Sequence, residues 1–238
     1  MSFQGGLAVL RDGVLEIFPH NGGTALPIAV STALGVRTAA GAPVSPVGAR
    51  FQLDGTPLPP APQDIASMCC WTDGATDGKF VYAIRNDSTL LEPRGSRPLA
   101  RVALYRFDLQ WGHPEELFRF PVDGMYNGGN GVYVGVAYSA RTGSFWITRT
   151  LSEGAHIEQW SREGTLISAS VNEPATMLIG IASDPADGTL WAISQGSPNR
   201  LALENFDEQG TRLGTFATDW PVPSTFPEGA EFAWIDRR

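Results

Sequence analysis

The sequence predicts an all-β chain built from repeated four-stranded units, and three observations carry that expectation. The first is self-similarity. Gly135-Val-Ala-Tyr, Gly143-Ser-Phe-Trp-Ile-Thr-Arg149 and Ile157-Glu-Gln-Trp160-Ser-Arg-Glu-Gly164-Thr-Leu return as Gly180-Ile-Ala-Ser, Gly188-Thr-Leu-Trp-Ala-Ile-Ser194 and Glu204-Asn-Phe206-Asp-Glu-Gln-Gly210-Thr-Arg-Leu. The offset, roughly 45 residues, is the period of a unit of four short strands. The second is punctuation: the chain holds 27 Gly and 18 Pro in 238 residues, spaced as turns between short segments. The third is periodicity. Val102, Leu104 and Arg106 alternate with Ala103, Tyr105 and Phe107, and no stretch keeps an apolar period of 3.6. Four-stranded units repeated about an axis make a β-propeller. The expected architecture is a small β-propeller of about five four-stranded blades in one domain, residues 1–238, its ring closed by N- and C-terminal strands. An irregular β-sandwich is the alternative.

Each element has a local reason. Residues 5–18 read as a hairpin because Asp12-Gly13, flanked by apolar residues, is a strong two-residue turn signal. Leu26–Ser31 offers one further strand within an Ala-, Gly- and Pro-rich stretch, and residues 51–58 read as a hairpin around Gly55. Ile65–Trp71 is an apolar run of strand length, and Asp77–Arg85 is a strand launched from a turn. Arg101–Asp108 alternates, and Leu117–Phe120 follows the turn through Trp111-Gly112-His113-Pro114. Gly124–Gly131 is a glycine-rich loop that opens the clearest pair of repeats, and Glu231–Ile235 is a last strand.

Aligned on their turns, the copies number four. Arg11-Asp-Gly13, Thr76-Asp-Gly78, Arg141-Thr-Gly143 and Ala186-Asp-Gly188 mark one turn. Two residues past each Gly stand Leu15, Phe80, Phe145 and Leu190; four past stand Ile17, Tyr82, Ile147 and Ala192. That is one apolar face of a strand, as packing between blades requires. A second turn runs from an aromatic anchor to a Gly: Phe51 to Gly55, Phe107 to Gly112, Trp160 to Gly164 and Phe206 to Gly210. Ser183-Asp-Pro-Ala-Asp-Gly-Thr-Leu-Trp-Ala-Ile and the later Asn205-Phe-Asp-Glu-Gln-Gly-Thr resemble repeats of NHL-type and gluconolactonase-like propellers. The resemblance spans about residues 5–217. It implies the propeller fold and, through its second branch, a metal-dependent lactone hydrolase, although the metal-binding Glu, Asn and Asp set of that branch maps onto no particular positions here.

Composition narrows the partners. Lys and Arg total 17 against 25 Asp and Glu, a net charge of −8. Such a surface disfavours nucleic acid and anionic membrane, which require basic patches. Cys69 and Cys70 are adjacent and give no disulfide framework. Neither a charged segment followed by an apolar one at the N-terminus nor an apolar run of membrane-spanning length occurs, so a cytoplasmic or intracellularly assembled protein is expected, a virion included.

Candidate chemistry is sparse. His20, His113 and His156 are isolated from one another, so no pair of metal-ligating histidines shares an element. No Gly-x-Ser-x-Gly elbow and no P-loop lysine is present. The acidic clusters Glu115-Glu116, Asp184 with Asp187, Asp207-Glu208 and Glu228 with Glu231 fall mostly in turns, where carboxylates bind backbone N–H groups or water. No catalytic residue, metal or cofactor is therefore expected. Ligand contact is expected from Tyr126, Asn127 and Asn130 in the glycine-rich loop, and from Trp146 and Trp191, which occupy one repeat position and alternate with the buried face. Half-exposed Trp on successive blades would stack on sugars. The expected function is a non-enzymatic recognition or assembly module whose inter-blade loops bind a carbohydrate or protein partner, with a structural component of a larger assembly such as a phage virion or tail as one form of it. The alternative is a gluconolactonase-like or glycosidase-like hydrolase with acidic residues around the central tunnel.

Overall fold

A computed structural model describes the backbone of residues 6–11, 14–19, 26–29, 34–35, 47–48, 50–51, 57–58, 71–87, 101–108, 112–121, 132–151, 154–172, 177–185, 187–197, 200–221 and 229–233. Side-chain environments are described within 73–85, 102–108, 112–121, 133–151, 154–171, 177–194 and 201–217, except at positions 152–153, 179 and 186. The described elements are all strands. Near the N-terminus they are β1 (Gly6–Arg11), β2 (Val14–Pro19), β3 (Leu26–Ala29), β4 (Leu34–Gly35), β5 (Val47–Gly48), β6 (Arg50–Phe51) and β7 (Pro57–Leu58). β8 (Trp71–Thr76), β9 (Val81–Asp87), β10 (Arg101–Phe107) and β11 (Glu115–Arg119) follow. The clearest repeats are β12 (Val132–Ser139), β13 (Ser144–Leu151), β14 (Gly154–Trp160) and β15 (Leu166–Asn172), then β16 (Leu178–Ser183), β17 (Leu190–Ser197), β18 (Arg200–Phe206) and β19 (Arg212–Pro221). β20 (Gly229–Ala233) is the last.

These strands form antiparallel four-stranded sheets in the orders β20-β1-β2-β3, β11-β10-β9-β8, β12-β13-β14-β15 and β16-β17-β18-β19. β4 with β5 and β6 with β7 make separate two-stranded pieces. The fold is a β-propeller. Its four-stranded sheets among the described residues number four, short of the five expected. The inner strands meet one another: β8 lies against β12, β12 against β16, and β20 against both β16 and β8.

Two alignments drawn from the sequence shift. β20 pairs with β1, Gly6 opposite Ala233 and Leu10 opposite Gly229, and so takes the inner edge of that sheet. The link from β1 to β2 therefore joins the second and third strands of its sheet, whereas the turns at Gly78, Gly143 and Gly188 join first and second. Turn chemistry is the same in both places, so the motif alone does not reveal which strand lies innermost. The other shift concerns Phe51. The sheet of β1 and β2 takes its outer strand from β3, and Phe51 belongs to β6, opposite Pro57 of β7. Of the apolar run Ile65–Trp71, Trp71 opens β8, and residues 65–70 lie outside the described residues.

Packing between sheets follows the alternation. Phe145, Ile147 and Trp160 point to one side of the β12–β15 sheet and join Tyr82, Ile84, Leu104, Phe118 and Phe120 of the β8–β11 sheet. Trp146, Ala155 and Ile157 point to the other side and join Ile181, Leu190, Ala192 and Phe206. The anchors Phe107, Trp160 and Phe206 are all buried, as the repeat requires. Leu15 and Ile17, expected at the equivalent face of β2, lie outside the residues whose side chains are described.

Turns are fixed by left-handed residues. Gly164 (φ 82°) and Gly210 (φ 77°) each sit two residues before an outer strand. In the β10–β11 turn that place belongs to His113 (φ 52°), not to the neighbouring Gly112. His113 is held there by Asp108, whose Oδ2 lies 2.8 Å from His113 Nδ1 while its Oδ1 accepts the Gly112 N–H at 2.7 Å. A Cβ on Gly112 would fall 2.8 Å from Asp108 Oδ2, so a larger residue there would displace the carboxylate that holds His113.

A Cβ at Gly164 would meet Phe118 Cβ at 2.6 Å, whereas one at Gly143 (φ 66°) would meet nothing within 4 Å. Both replacements by Ala carry the left-handed penalty of roughly 1–2 kcal/mol. Gly164→Ala adds a collision with a buried ring and should cost about 2 kcal/mol or more, distinctly above Gly143→Ala. Urea unfolding of the two variants checks the order; equal losses would contradict the close approach of the β14–β15 turn to Phe118.

Candidate functional site

At the centre, the inner strands share a pattern. Gly74-Ala75, Gly135-Val136 and Gly180-Ile181 occupy equivalent places on β8, β12 and β16, because Ala75, Val136 and Ile181 lie opposite Tyr82, Ile147 and Ala192. The register of each inner strand shifts at or next to this glycine. Glycine is needed because the backbones converge: a Cβ on Gly135 would lie 3.0 Å from the Ile181 nitrogen and 3.1 Å from the Gly180 carbonyl carbon. The residue before each glycine is Asp73, Val134 or Ile179. Asp73 is 4% exposed, and its Oδ2 accepts the N–H of Val136 at 3.2 Å and of Ile181 at 3.1 Å. Its Oδ1 accepts the Gly74 N–H at 2.9 Å. One carboxylate on β8 thus binds strands of two further sheets through buried backbone donors, for which an unmade bond would be costly. Gly229-Ala230 in β20 repeats the same dipeptide in sequence.

Other interior carboxylates are likewise engaged. Glu158 and Glu204 hold one repeat position, two residues before Trp160 and Phe206, and both are buried. Glu158 accepts the Trp160 indole N–H at 2.9 Å and lies 3.4 Å from Arg149, whose guanidinium stands over the Tyr133 ring. Glu204, beside a Phe that offers no N–H, lies 3.8 Å from Arg212. His156 and Glu158 share one face of β14, since they lie opposite Arg149 and Ile147. Asp184, 2% exposed, contributes its backbone to a turn, bonded to Thr189 and Gly188. Asp187 caps Thr189, and Asp207 accepts the N–H groups of Gln209 and Thr211. Among the described residues no three His, Cys, Asp or Glu side chains are grouped to hold a metal ion.

The end carrying these turns is tied from sheet to sheet by two arginines. Arg162, in the turn before β15, donates to Asp77 Oδ2 at 2.6 Å and to the Tyr82 hydroxyl at 3.0 Å, with its guanidinium over Tyr138. Tyr82 in turn donates to Asp77 at 2.7 Å. At the next junction Arg141, in the β12–β13 turn, lies 3.0 Å from Glu208 and donates to the Asp187 carbonyl at 2.6 Å. Arg162 and Glu208 occupy the same repeat position, two residues past the aromatic anchor. The same pair of turns thus meets at both junctions with the charges exchanged. Setting the β16–β19 sheet directly beside the β8–β11 sheet would bring Asp77 against Glu208, a like-charge contact that disfavours that order.

Of the residues expected to touch a ligand, Tyr126, Asn127 and Asn130 lie outside the described residues. Trp146 and Trp191 do share a repeat position, but their surroundings differ. Trp146 is 1% exposed in the core between the β12–β15 and β16–β19 sheets, not half-exposed as expected. The face of β13 that carries it is covered by Ile181, Leu190 and Phe206 of the following sheet. Trp191 stands on the face of β17 opposite to Leu190 and Ala192, turned away from that core. It is half-buried, its Nε1 donates to Thr189 Oγ1 at 3.2 Å, and its ring stacks on Phe216 with centroids 5.3 Å apart. Phe216 is 53% exposed, and Asn205, opposite Trp191 in β18, shares the face. Phe216 was not singled out by the sequence, although its cross-strand partner Leu203 and the short turn at Gly210 place it beside Trp191.

Comparison with known proteins places the chain by fold. No family model matches it, and no curated protein matches. Among solved structures, a chain of the nidogen/laminin complex aligns over 96% of this chain and 98% of its own length with a TM-score of 0.53 and 14% identity. A luciferin-regenerating enzyme aligns over 92% of this chain and 77% of its own, with a TM-score of 0.45 and 16% identity. A gluconolactonase from Xanthomonas campestris aligns over 73% of this chain at 17% identity and a TM-score of 0.44, and the match spans just 56% of that enzyme's length. The nidogen/laminin neighbour is a β-propeller protein, in keeping with the fold of this chain. Among the described residues no helix is long and apolar enough to cross a membrane.

Two outcomes are expected from these contacts. Asp73→Ala leaves two buried amides of other sheets without an acceptor and should lower unfolding free energy by roughly 2–6 kcal/mol, at 1–3 for each orphaned group. Asp73→Asn, which keeps one oxygen, should lose less; urea unfolding measures both, and an Asp73→Ala loss below that of an exposed turn variant would refute the central role. The turn cluster sets a pH dependence. Burial pushes the Asp77 carboxyl up, but hydrogen bonds from Tyr82, the Phe80 and Lys79 amides and Arg162 outweigh it, so its pKa sits below the ordinary 3.8. Burial, then the bond to Asp77 and its charge, holds the Tyr82 phenol above its ordinary 10.0. The Asp77 contribution is therefore whole above the unfolded value and fades as pH falls through the lower folded one. The Tyr82 contribution is whole below pH 10.0 and fades as pH rises through the raised folded value. Denaturant midpoints followed against pH should show the acid loss blunted in Asp77→Asn and the alkaline loss blunted in Tyr82→Phe.

Proposed function

We propose that this chain is a non-enzymatic recognition or assembly module, a rigid β-scaffold that presents its outer strands and inter-blade loops to a carbohydrate or protein partner. The observation that carries the reading is the contrast between interior and rim. Inside, Asp73, Glu158 and Glu204 have backbone or side-chain partners within the fold. At the rim, Trp191 and Phe216 form a stacked pair with Phe216 53% exposed, and Asn205 supplies an amide on the same face. An aromatic face with a neighbouring amide suits a sugar ring, whose C–H face stacks while its hydroxyls hydrogen-bond, and it equally suits an apolar anchor from a protein. Trp191 is the member of the expected ligand set that this reading retains. Tyr126, Asn127 and Asn130 enter it as a second contact from the glycine-rich loop. A structural component of a larger assembly, such as a phage virion or tail, is the same reading with a protein as partner. With a net charge of −8, neither nucleic acid nor membrane insertion is part of it.

A glycan array probed with wild type, Trp191→Ala and Phe216→Ala tests the sugar arm. Binding to one glycan class is expected, reduced tenfold or more in both variants while their melting temperatures stay near wild type. A blank array shifts the partner to protein. Turnover of lactones or aryl glycosides in the presence of divalent cations would overturn the non-enzymatic reading altogether.

A further inference from the structure

The outermost strands of the four sheets, β3, β11, β15 and β19, differ in how their open edges are guarded. A free strand edge invites another strand, and chains block this with proline, charge, glycine or bulges. β3 carries Pro27. β11 carries Glu115, Glu116 and Arg119 and is preceded by Pro114. β19 carries Arg212, Gly214, Asp219 and Pro221, and its register shifts twice. β15, Leu166-Ile-Ser-Ala-Ser-Val-Asn172, contains no charge, no proline and no glycine. Its one irregularity lies opposite Gln159 and Trp160, so Ser168 to Asn172 run in regular register. Leu166, Ile167 and Val171 are 47%, 55% and 55% exposed, and Ala169 is exposed between them. Among the described residues no strand lies beyond it.

We propose that β15 is the site at which a second copy of this chain adds, edge to edge and antiparallel about a two-fold axis centred on Ala169. The strand is complementary to itself in that register. Ile167 falls opposite Val171 of the second copy, so two exposed apolar side chains cover each other on one face. Ser168 falls opposite Ser170, Leu166 opposite Asn172 and Ala169 opposite its own equivalent. A charge-free strand sets no like charges against each other and desolvates no ion, which distinguishes this edge from β11 with its three charged residues. A two-fold contact of this kind uses one patch twice and closes without growing into a fibre. The net charge of −8 on each copy opposes approach at long range, and salt screens it. Association is thus favoured by concentration and by ionic strength.

Sedimentation equilibrium of the full chain from low to high micromolar concentration tests this. Wild type should rise toward twice the 25.6 kDa chain mass, and rise further in 0.5 M salt than at low salt. Ala169→Lys puts two ammonium groups together at the two-fold and should hold the mass at a single chain at every concentration, with far-UV circular dichroism unchanged. Leu213→Lys, at an exposed position of β19, should associate as wild type does. Should Ala169→Lys misfold, hydrogen exchange on wild type answers the same question: amides of 166–172 become protected as concentration rises, and those of 212–217 do not. A wild type monomeric throughout, an Ala169→Lys variant that associates normally, or concentration-independent exchange in β15 would each overturn the proposal. Because this test reads mass and exchange alone, its failure leaves the recognition reading at Trp191 standing, and a blank glycan array leaves the β15 contact standing.

Discussion

The arrangement turns on the Asp73 carboxylate. At Gly135 the inner strand lies so close to Gly180 and Ile181 that a Cβ would crowd their backbone, and glycine recurs at the equivalent Gly74 and Gly180. Once the backbones are that close, the N–H groups just past the glycines have no room for a partner strand on the inner side. Asp73 answers for two of them, on Val136 and Ile181, from a third sheet. Removing a buried donor's only acceptor costs far more than an average hydrogen bond contributes. Three sheets are therefore held at the centre by an interaction that contains almost no side-chain surface, and the larger apolar interfaces further out are positioned by it.

Outward from the centre the chemistry changes in kind. Aromatic and aliphatic side chains fill both interfaces of the β12–β15 sheet, and their alternation divides them between Tyr82, Phe118 and Phe120 on one side and Leu190 and Phe206 on the other. Apolar packing is non-directional and would tolerate several sheet orders. Specificity enters at the turns, where Arg162 meets Asp77 and Arg141 meets Glu208. Both arginines are substantially exposed, so each pair adds little stability in itself. Their value lies in the exchange of sign between junctions, which penalises the wrong neighbour.

The repeat position shared by Trp146 and Trp191 shows how one motif serves two ends. A residue on the outward-turning face of the second strand is covered when another sheet packs on that face. Trp146 has such a cover, and Trp191, half-buried, stacks on Phe216 of its own sheet. Glu158 and Glu204 diverge in the same way: one caps a neighbouring indole, and the other, beside Phe206, turns to Arg212. Repetition in sequence thus fixes where a side chain leaves the backbone, and the neighbouring sheet fixes what it meets.

Much was legible in the chain itself. Alternation, the turn glycines Gly78, Gly143, Gly164, Gly188 and Gly210, and the anchors Phe107, Trp160 and Phe206 are local properties, and all three stand in the structure because they depend on backbone geometry within one sheet. Asp73 was readable in principle, since it replaces the apolar Val134 and Ile179 of its repeats, but a lone Asp-Gly reads as a turn until the strand around it is known. Left to the tertiary structure were the inner place of β20, the shift of the left-handed residue from Gly112 to His113, the burial of Trp146 and the pairing of Trp191 with Phe216. Each of these depends on residues far apart in the chain, or on the exact length of a turn. The sequence determines which strands form and which way each side chain points; which surface faces a neighbour and which faces solvent follows only when the sheets are set side by side, because burial belongs to the pair of surfaces and not to either one.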